Sequence, residues 1–369
     1  MQYKIFKDGI KLSRLGMGVM RLPVKGDQSE IDYEKAKAVI DMAMEKGINY
    51  YDTAYVYHGG NSEAFLGKIM KGYPRDSFYV ADKFNFRANP DYKNQFKEQL
   101  TRLQMDRIDF YLLHGIQDAF ADDILKCGCV EYFDHLKKTG RIRYLGFSFH
   151  GSPEMLKKVL AYYNWDFVQM QLNYYDWYCG NAEELYNILA SADVPVMVME
   201  PVHGGLLANL ISEAAAGLKE MSPERSVASW AMRWVLGRSQ VQVVLSGMSS
   251  LSQITDNAKT FSECTVLTEK EEAAVQNAAQ IQCQSVTAAC TECRYCTPYC
   301  PQELDIPKLL QIYNEEKIGG IWQLKNSLAA LPENTGPDQC IGCAACTEHC
   351  PQDLDIPGYL KEMCEMQKQ

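Results

Sequence analysis

No stretch of the 369 residues is apolar for long enough to cross a bilayer as a helix, which takes about 20 consecutive apolar residues. Basic residues are not in excess either. Lys and Arg number 37 against 47 Asp and Glu, a net charge of −10, so no face is expected to grip a nucleic-acid backbone. The opening residues, MQYKIFKDGIKLS, lack the cationic-then-apolar pattern of a secretory leader, and a cytoplasmic location is the expectation. A glycine-rich phosphate turn is missing as well. Leu15 to Met20 reads LGMGVM, with two glycines only and a long loop after it, which argues against a doubly wound dinucleotide domain.

Cysteine, by contrast, is abundant. The chain has 14, and eight of them fall into two tight groups. In a large chain without a leader, that pattern reads as metal ligation rather than cross-linking. The other six (Cys127, Cys129, Cys179, Cys264, Cys283 and Cys364) are scattered and read as buried or idle thiols. Both groups spell C-x2-C-x2-C-x3-C-P: Cys290, Cys293, Cys296, Cys300 and Pro301, then Cys340, Cys343, Cys346, Cys350 and Pro351, a shift of 50. Three cysteines at two-residue gaps let a short loop curl around one cubane, while the fourth reaches the neighbouring cluster. The spacing therefore predicts Cys290, Cys293, Cys296 and Cys350 on one [4Fe-4S] cluster, with Cys340, Cys343, Cys346 and Cys300 on the other. Zinc is the alternative, but its sites usually use two separated ligand pairs. The segment resembles a bacterial-type two-cluster ferredoxin with an insertion from about Gln302 to Gln339.

Ahead of it, short β-rich runs alternate with helical patterns. Lys7-Asp8-Gly9 reads as a hairpin turn before the first barrel strand. Eight strand-like runs follow, starting near Arg14, Ile48, Ser77, Ile108, Ile142, Phe167, Val194 and Val241. Helical stretches between them end in glycine at Gly47, Gly72 and Gly140. Eight β/α units in about 250 residues is the rhythm of a (β/α)8 TIM barrel. Thr268 and Glu271 have capping-box spacing and open a further helix. The expected domains are a barrel over 1–280 and a ferredoxin-like two-cluster segment over 281–369.

Polar residues stand at strand ends where an apolar core should continue: Asp52, Lys83 and His114 at the second, third and fourth. Neighbouring strand ends converge at the C-terminal mouth of such a barrel, where active sites sit. Tyr57 lies in the loop over the same mouth. Each has a plain structural role open to it, a capped turn or a satisfied core histidine, but three in succession point to chemistry.

Several ordered motifs then show a resemblance to the aldo/keto reductase superfamily. They are GINYYDTAYVYHGGNSEAFLGK from Gly47, VADKF from Val80, IDFYLLH from Ile108, IRYLGFSF from Ile142, VQMQLN from Val168 and LSGMSSLSQITDN from Leu245. Barrel and tail together resemble the iron–sulfur-bearing branch of that superfamily, found mainly in anaerobic bacteria and archaea. The resemblance implies carbonyl reduction, or alcohol oxidation in reverse, by hydride transfer from NADPH or NADH. Tyr57 would be the general acid, Lys83 its charged neighbour, Asp52 the partner that holds Lys83, and His114 the group that positions the substrate oxygen. Gly18 and Met20 match the loop after the first strand, and Ser148 and Gln169 match residues that hold the nicotinamide carboxamide.

Departures from the family pattern are equally informative. Phe149 stands where asparagine is common, with His150 a candidate substitute, and Met199 occupies the position of an aromatic that stacks on the nicotinamide. Gly247 and Gln253 fall where Lys and Arg often hold a 2′-phosphate, leaving Asp256 and Asn257 to face the adenosine. Without those cations NADH is as open as NADPH. The loop NYYDWYCG, residues 173–180, offers Tyr174, Tyr175, Trp177 and Tyr178 to a pocket or to the ferredoxin segment. Because hydride carries two electrons and a [4Fe-4S] centre moves one, the clusters imply a partner protein or a flavin, or a folding role. Two alternatives therefore stand beside the reductase: a ferredoxin- or flavin-linked electron-transfer enzyme, and a nicotinamide-binding regulatory barrel with slow turnover.

Overall fold

The computed structural model describes residues 1–26 and 29–367, with the side chains of 315–320 and 323 left aside. Its chain packs as two compact units, Met1–Pro201 with Ala228–Glu272, and Val202–Val227 with Ala273–Gln369.

The first unit opens with an antiparallel hairpin, β1 (Tyr3–Ile5) and β2 (Lys11–Ser13), turned through Asp8 at φ 56 and Gly9 at φ 74. Eight parallel strands follow: β3 (Leu15–Gly18), β4 (Tyr50–Asp52), β5 (Tyr79–Phe84), β6 (Ile108–Ile116), β7 (Ile142–Phe149), β8 (Phe167–Gln171), β9 (Val196–Met199) and β10 (Val241–Ser246). They close in the order β10-β3-β4-β5-β6-β7-β8-β9. Each of the eight expected strands is present. Helices fill the crossovers. Asp32, Asp91 and Ser152 cap three of them by accepting a backbone N–H, and Gly47 (φ 82) and Gly140 (φ 78) lie just beyond two helix ends.

Alternation along the strands decides what fills the barrel. Tyr50, Ala81, Phe110, Leu112, Tyr144, Phe167, Met197, Val243 and Leu245 pack together inside, joined by Phe6, Ile10 and Leu12 of the hairpin segment. Phe6 stands edge-on to Tyr144 with centroids 5.0 Å apart, and the Tyr144 hydroxyl donates to Lys7 O at 3.0 Å. The hairpin thus plugs the N-terminal end. What remains open to chemistry is the layer one step further along each strand.

The second unit reproduces the internal duplication in its backbone. Glu292, Arg294 and Glu303 have positive φ, and so do Gly342, Ala344 and Asp353, each 50 residues on. Asp305 opens the helix Ile306–Ala329 by accepting from Lys308 N, and Asp355 accepts from Gly358 N ahead of Ile356–Gln367. Leu304, Ile306 and Leu310 share a buried core with their repeat equivalents Leu354, Ile356 and Leu360.

Candidate functional site

Period-two alternation carries a ring of residues to the barrel mouth. Two residues beyond the interior Tyr50, Ala81 and Leu112 come Asp52, Lys83 and His114. Ser148 follows Tyr144 by four, Gln169 follows Phe167 by two, and Met199 follows Met197 by two. Gly18 is the register partner of Asp52, and Ser148 of Gln169. Gly247 lies just past β10.

Lys83 is the centre of this ring, with 1% of its surface exposed. Its ammonium donates to Asp52 Oδ1 at 2.6 Å, to the Thr53 carbonyl at 2.6 Å and to the Tyr57 hydroxyl at 3.3 Å. Three N–H groups meet three acceptors, which is what a buried charge requires. Burial pushes the Asp52 carboxyl up, against the pull of Lys83. Tyr57 enters from the 3-10 turn Tyr57–Gly60 and stands edge-on to His114 with centroids 6.0 Å apart. Burial, then the charge of Lys83, then His150 hold His114 well below its ordinary 6.5, and burial lowers His150 to about 4. Asn85 Nδ2 lies 3.2 Å from His114 Nδ1. The structure therefore brings Asp52, Tyr57, Lys83 and His114 into one cluster, with His150 close enough to His114 to affect it.

The expected nucleotide contacts divide. Ser148 Oγ accepts from Gly115 N at 2.7 Å, which fixes it at the mouth. Gln169 is buried, and its Oε1 has no hydrogen-bond partner among the described residues. A buried acceptor of this kind suits a primary amide. Met20 is half-buried in the turn Val19–Arg21 beyond Gly18. Gln253 closes a capping box: its Oε1 accepts from Ser249 N at 2.8 Å and Ser250 N at 3.2 Å, ahead of the helix Leu251–Glu263. Asn257 is buried and donates to Ser246 Oγ at 3.1 Å, while Asp256 is half-buried beside it.

The structure also shows what sequence reasoning missed. Arg21 packs the aliphatic stem of its side chain 3.2–3.3 Å from where a Cβ on Gly247 would stand, and its guanidinium pairs with Glu200 at 3.8 Å. Asp82 faces outward from β5 and is fully buried, its Oδ1 accepting from Lys83 N at 2.8 Å. Burial, with the charge of Glu63, pushes Asp82 well above the usual carboxylate range. Glu63 is also fully buried and receives Gln99 Nε2 at 3.0 Å and Arg102 at 2.9 Å. Gln99 further donates to Lys83 O at 3.0 Å and accepts from Tyr111 at 2.5 Å. This polar layer clamps β5 from behind. Of the aromatic segment, Trp177 lines a pocket of the barrel unit with Leu160, Asn181 and Glu184. Trp177 and Tyr178 pack on Trp234, with centroids 5.3 and 6.4 Å away.

In the second unit two small cavities are lined by cysteine. One is bounded by Cys290, Cys293, Cys296 and Cys350, with Arg294 and Leu310. The other is bounded by Cys300, Cys340, Cys343 and Cys346, with Ile341 and Leu360. Each takes its fourth cysteine from the other repeat. Burial, then the neighbouring sulfurs of Cys293, Cys290, Cys350 and Cys346, push the Cys296 thiol up. Crowded sulfurs of this kind fit a cationic iron–sulfur core. Glu292 and Arg294 are left-handed, and the Glu292 N–H donates to Cys290 Sγ at 3.4 Å.

Comparison with known proteins agrees with both halves. The aldo/keto reductase family model matches residues 14–280, and a 4Fe-4S dicluster domain model matches residues 289–354. An L-galactose dehydrogenase of Arabidopsis thaliana is 30% identical over 69% of this chain and 86% of its own length. An NADH-specific methylglyoxal reductase of Escherichia coli is 26% identical over 67% and 89%. Among solved structures, an aldo-keto reductase from Bacillus halodurans in its holo form superposes with a TM-score of 0.62 at 30% identity, covering 75% of this chain and 96% of that one. One from Klebsiella pneumoniae in complex with NADPH gives 0.61 at 20% identity over 76% and 96%, a likeness of fold.

Proposed function

The chain belongs to the aldo/keto reductase family, and within it we propose a reductase of small carbonyl compounds, reversible to alcohol oxidation, that uses a nicotinamide dinucleotide. Its catalytic residues are Asp52, Tyr57, Lys83 and His114. The observation that carries this reading is the Lys83 ammonium, fixed between Asp52, Thr53 O and the Tyr57 hydroxyl.

A phenol of ordinary pKa, about 10, releases its proton poorly at neutral pH. A fixed ammonium 3.3 Å away stabilises the phenolate left behind. Asp52 keeps that ammonium charged and aimed. His114 is neutral at neutral pH, so it is no rival as acid. With Asn85 donating to Nδ1, its hydrogen sits on Nε2, suited to hold a substrate oxygen. Tyr57 then delivers the proton to that oxygen as negative charge builds on it. When bound, a dihydronicotinamide supplies the hydride. Ser148 and Gln169 would hold its carboxamide, Met199 would face the ring, and Gly18, Met20, Gly247, Asp256 and Asn257 would line the way to the adenosine. Gln253 contributes by fixing the helix start. This reading admits NADH and NADPH alike, with the stem of Arg21 packed beside Gly247.

The segment 281–369 is read as the two-cluster domain behind a barrel of 1–280. Cys290, Cys293, Cys296 and Cys350 would hold one [4Fe-4S] cluster, and Cys340, Cys343, Cys346 and Cys300 the other. When bound, such clusters move single electrons. That property supports a second reading, in which a ferredoxin- or flavin-linked partner supplies the reducing equivalents.

Anaerobically purified protein, titrated with each nicotinamide and assayed against a panel of carbonyls alongside iron and sulfide analysis, tests both. We expect nicotinamide oxidation coupled to carbonyl reduction, with about eight irons per chain. Turnover only with reduced ferredoxin would replace the first reading by the second.

A further inference from the structure

In the barrel unit the helices Ala121–Lys126 and Cys129–Lys138 meet at Cys127-Gly128-Cys129. Gly128 stands at φ 84, a conformation that glycine adopts without strain. The turn gathers its two flanking thiols on one acceptor: Cys127 Sγ lies 3.1 Å and Cys129 Sγ 3.5 Å from the Ile124 carbonyl oxygen. The sulfurs are also in hydrogen-bond contact with each other. Cys129 is fully buried, whereas Cys127 is partly open to solvent.

Exposure divides the pair into unequal partners, since Cys127 can be reached from solvent and Cys129 cannot. The bond from Cys129 lowers Cys127 to about 7, against burial and the nearby charge of Glu131. Its bond to Cys127, then burial, push Cys129 up, so it keeps its hydrogen. Among the surrounding groups, the Tyr162 hydroxyl bonds Leu125 O at 2.6 Å and Glu131 at 3.1 Å. A Cβ on Gly128 would lie 3.5 Å from the Tyr92 hydroxyl. None of these residues takes part in the proposed reduction.

We propose that Cys127 and Cys129 form a thiol–disulfide exchange site for low-molecular-weight disulfides, with Cys127 attacking and Cys129 resolving. The Cys127 thiolate attacks one sulfur of the small disulfide, the S–S bond breaks, and the departing thiolate takes a proton from solvent. Cys129 then loses its proton and attacks the Cys127 sulfur, releasing the second small thiol. Two protein thiols are oxidised by two electrons in all, and one small disulfide is reduced to two thiols.

Rate alone is a weak signature. At neutral pH a thiol of pKa about 7 is roughly half ionised against a few per cent at 8.5, but its lower nucleophilicity leaves only about a threefold advantage. The internal disulfide is the stronger mark. The test incubates anaerobic holoprotein with glutathione disulfide at neutral pH, quenches with acid, alkylates, and maps peptides by mass spectrometry. Cluster absorbance confirms that the iron–sulfur sites stay intact. We expect the peptide carrying Cys127 and Cys129 to lose two hydrogens without gaining glutathione. Cys264, another partly exposed thiol of this unit and one with no cysteine beside it in the sequence, retains any glutathione it gains. Cys129→Ser should leave a lasting mixed disulfide at Cys127, and Cys127→Ser should leave Cys129 unmodified. Both thiols still alkylatable in wild-type protein after Cys264 has reacted would overturn the proposal. So would a mixed disulfide at Cys127 that is no longer-lived in Cys129→Ser than in wild type.

Discussion

At the scale of single residues, the account turns on which groups carry charge at the barrel mouth. Lys83 must remain an ammonium and His114 a neutral imidazole. Replacing Lys83 by Met removes the phenolate's stabilising charge, and we expect kcat to fall by about 10²- to 10³-fold, read from nicotinamide oxidation. A fall of less than threefold would mean that the phenol needs no such neighbour. The histidines also make a claim about stability. In the unfolded chain both take up protons below about 6.5, whereas the folded protein holds His150 at about 4 and His114 well below 6.5. The unfolded state therefore binds more protons in that window, and stability falls as pH drops from about 6.5 towards 4. The urea midpoint should be lower at pH 5 than at pH 7, and the difference should shrink in His150→Gln. An equal difference in the two proteins would contradict the assignment.

At the scale of elements, strand alternation made most of the ring at the mouth legible in the sequence. Asp52, Lys83 and His114 continue the inward face of strands whose earlier residues are apolar, so a polar residue there stands out. The layer behind the strand was not legible. Asp82 faces the opposite way from Lys83, and its neighbours Glu63 and Gln99 come from the helices Asn61–Met70 and Tyr92–Leu103, too far along the chain for spacing to join them. Gln253 has a second role that its place in the motif did not show. Its place in the motif suggested a ligand contact, while Ser250 three residues earlier made it the partner in a helix cap. The clamp on β5 is testable. Gln99→Leu leaves Glu63, the Lys83 carbonyl and the Tyr111 hydroxyl each short of a partner, and should cost about 2–3 kcal/mol by denaturant unfolding. Because Gln99 holds the Lys83 backbone, kcat should also fall, with KM little changed. A stable variant with wild-type kcat would confine Gln99 to packing.

At the scale of the whole molecule, the duplication in the second unit was the most legible feature, because ligand spacing and the order of residues repeat together. Crossed ligation gives it a sharp test. Cys300→Ser and Cys340→Ser line the same cavity, so each should lower iron from about eight to about four per chain, and the double variant should still hold about four. Cys290→Ser with Cys340→Ser strikes both cavities and should lose nearly all of it. The pairing of Cys127 with Cys129 was not legible, since nothing in the sequence says that both thiols meet one carbonyl oxygen. The central claim concerns the barrel, a phenol that hands its proton to a carbonyl beside a buried ammonium. It is tested most directly by the steady-state rate of nicotinamide-linked carbonyl reduction in Tyr57→Phe, measured together with nicotinamide affinity. The account predicts a rate about 10²- to 10⁴-fold below wild type with affinity unchanged. A rate within threefold of wild type would contradict it.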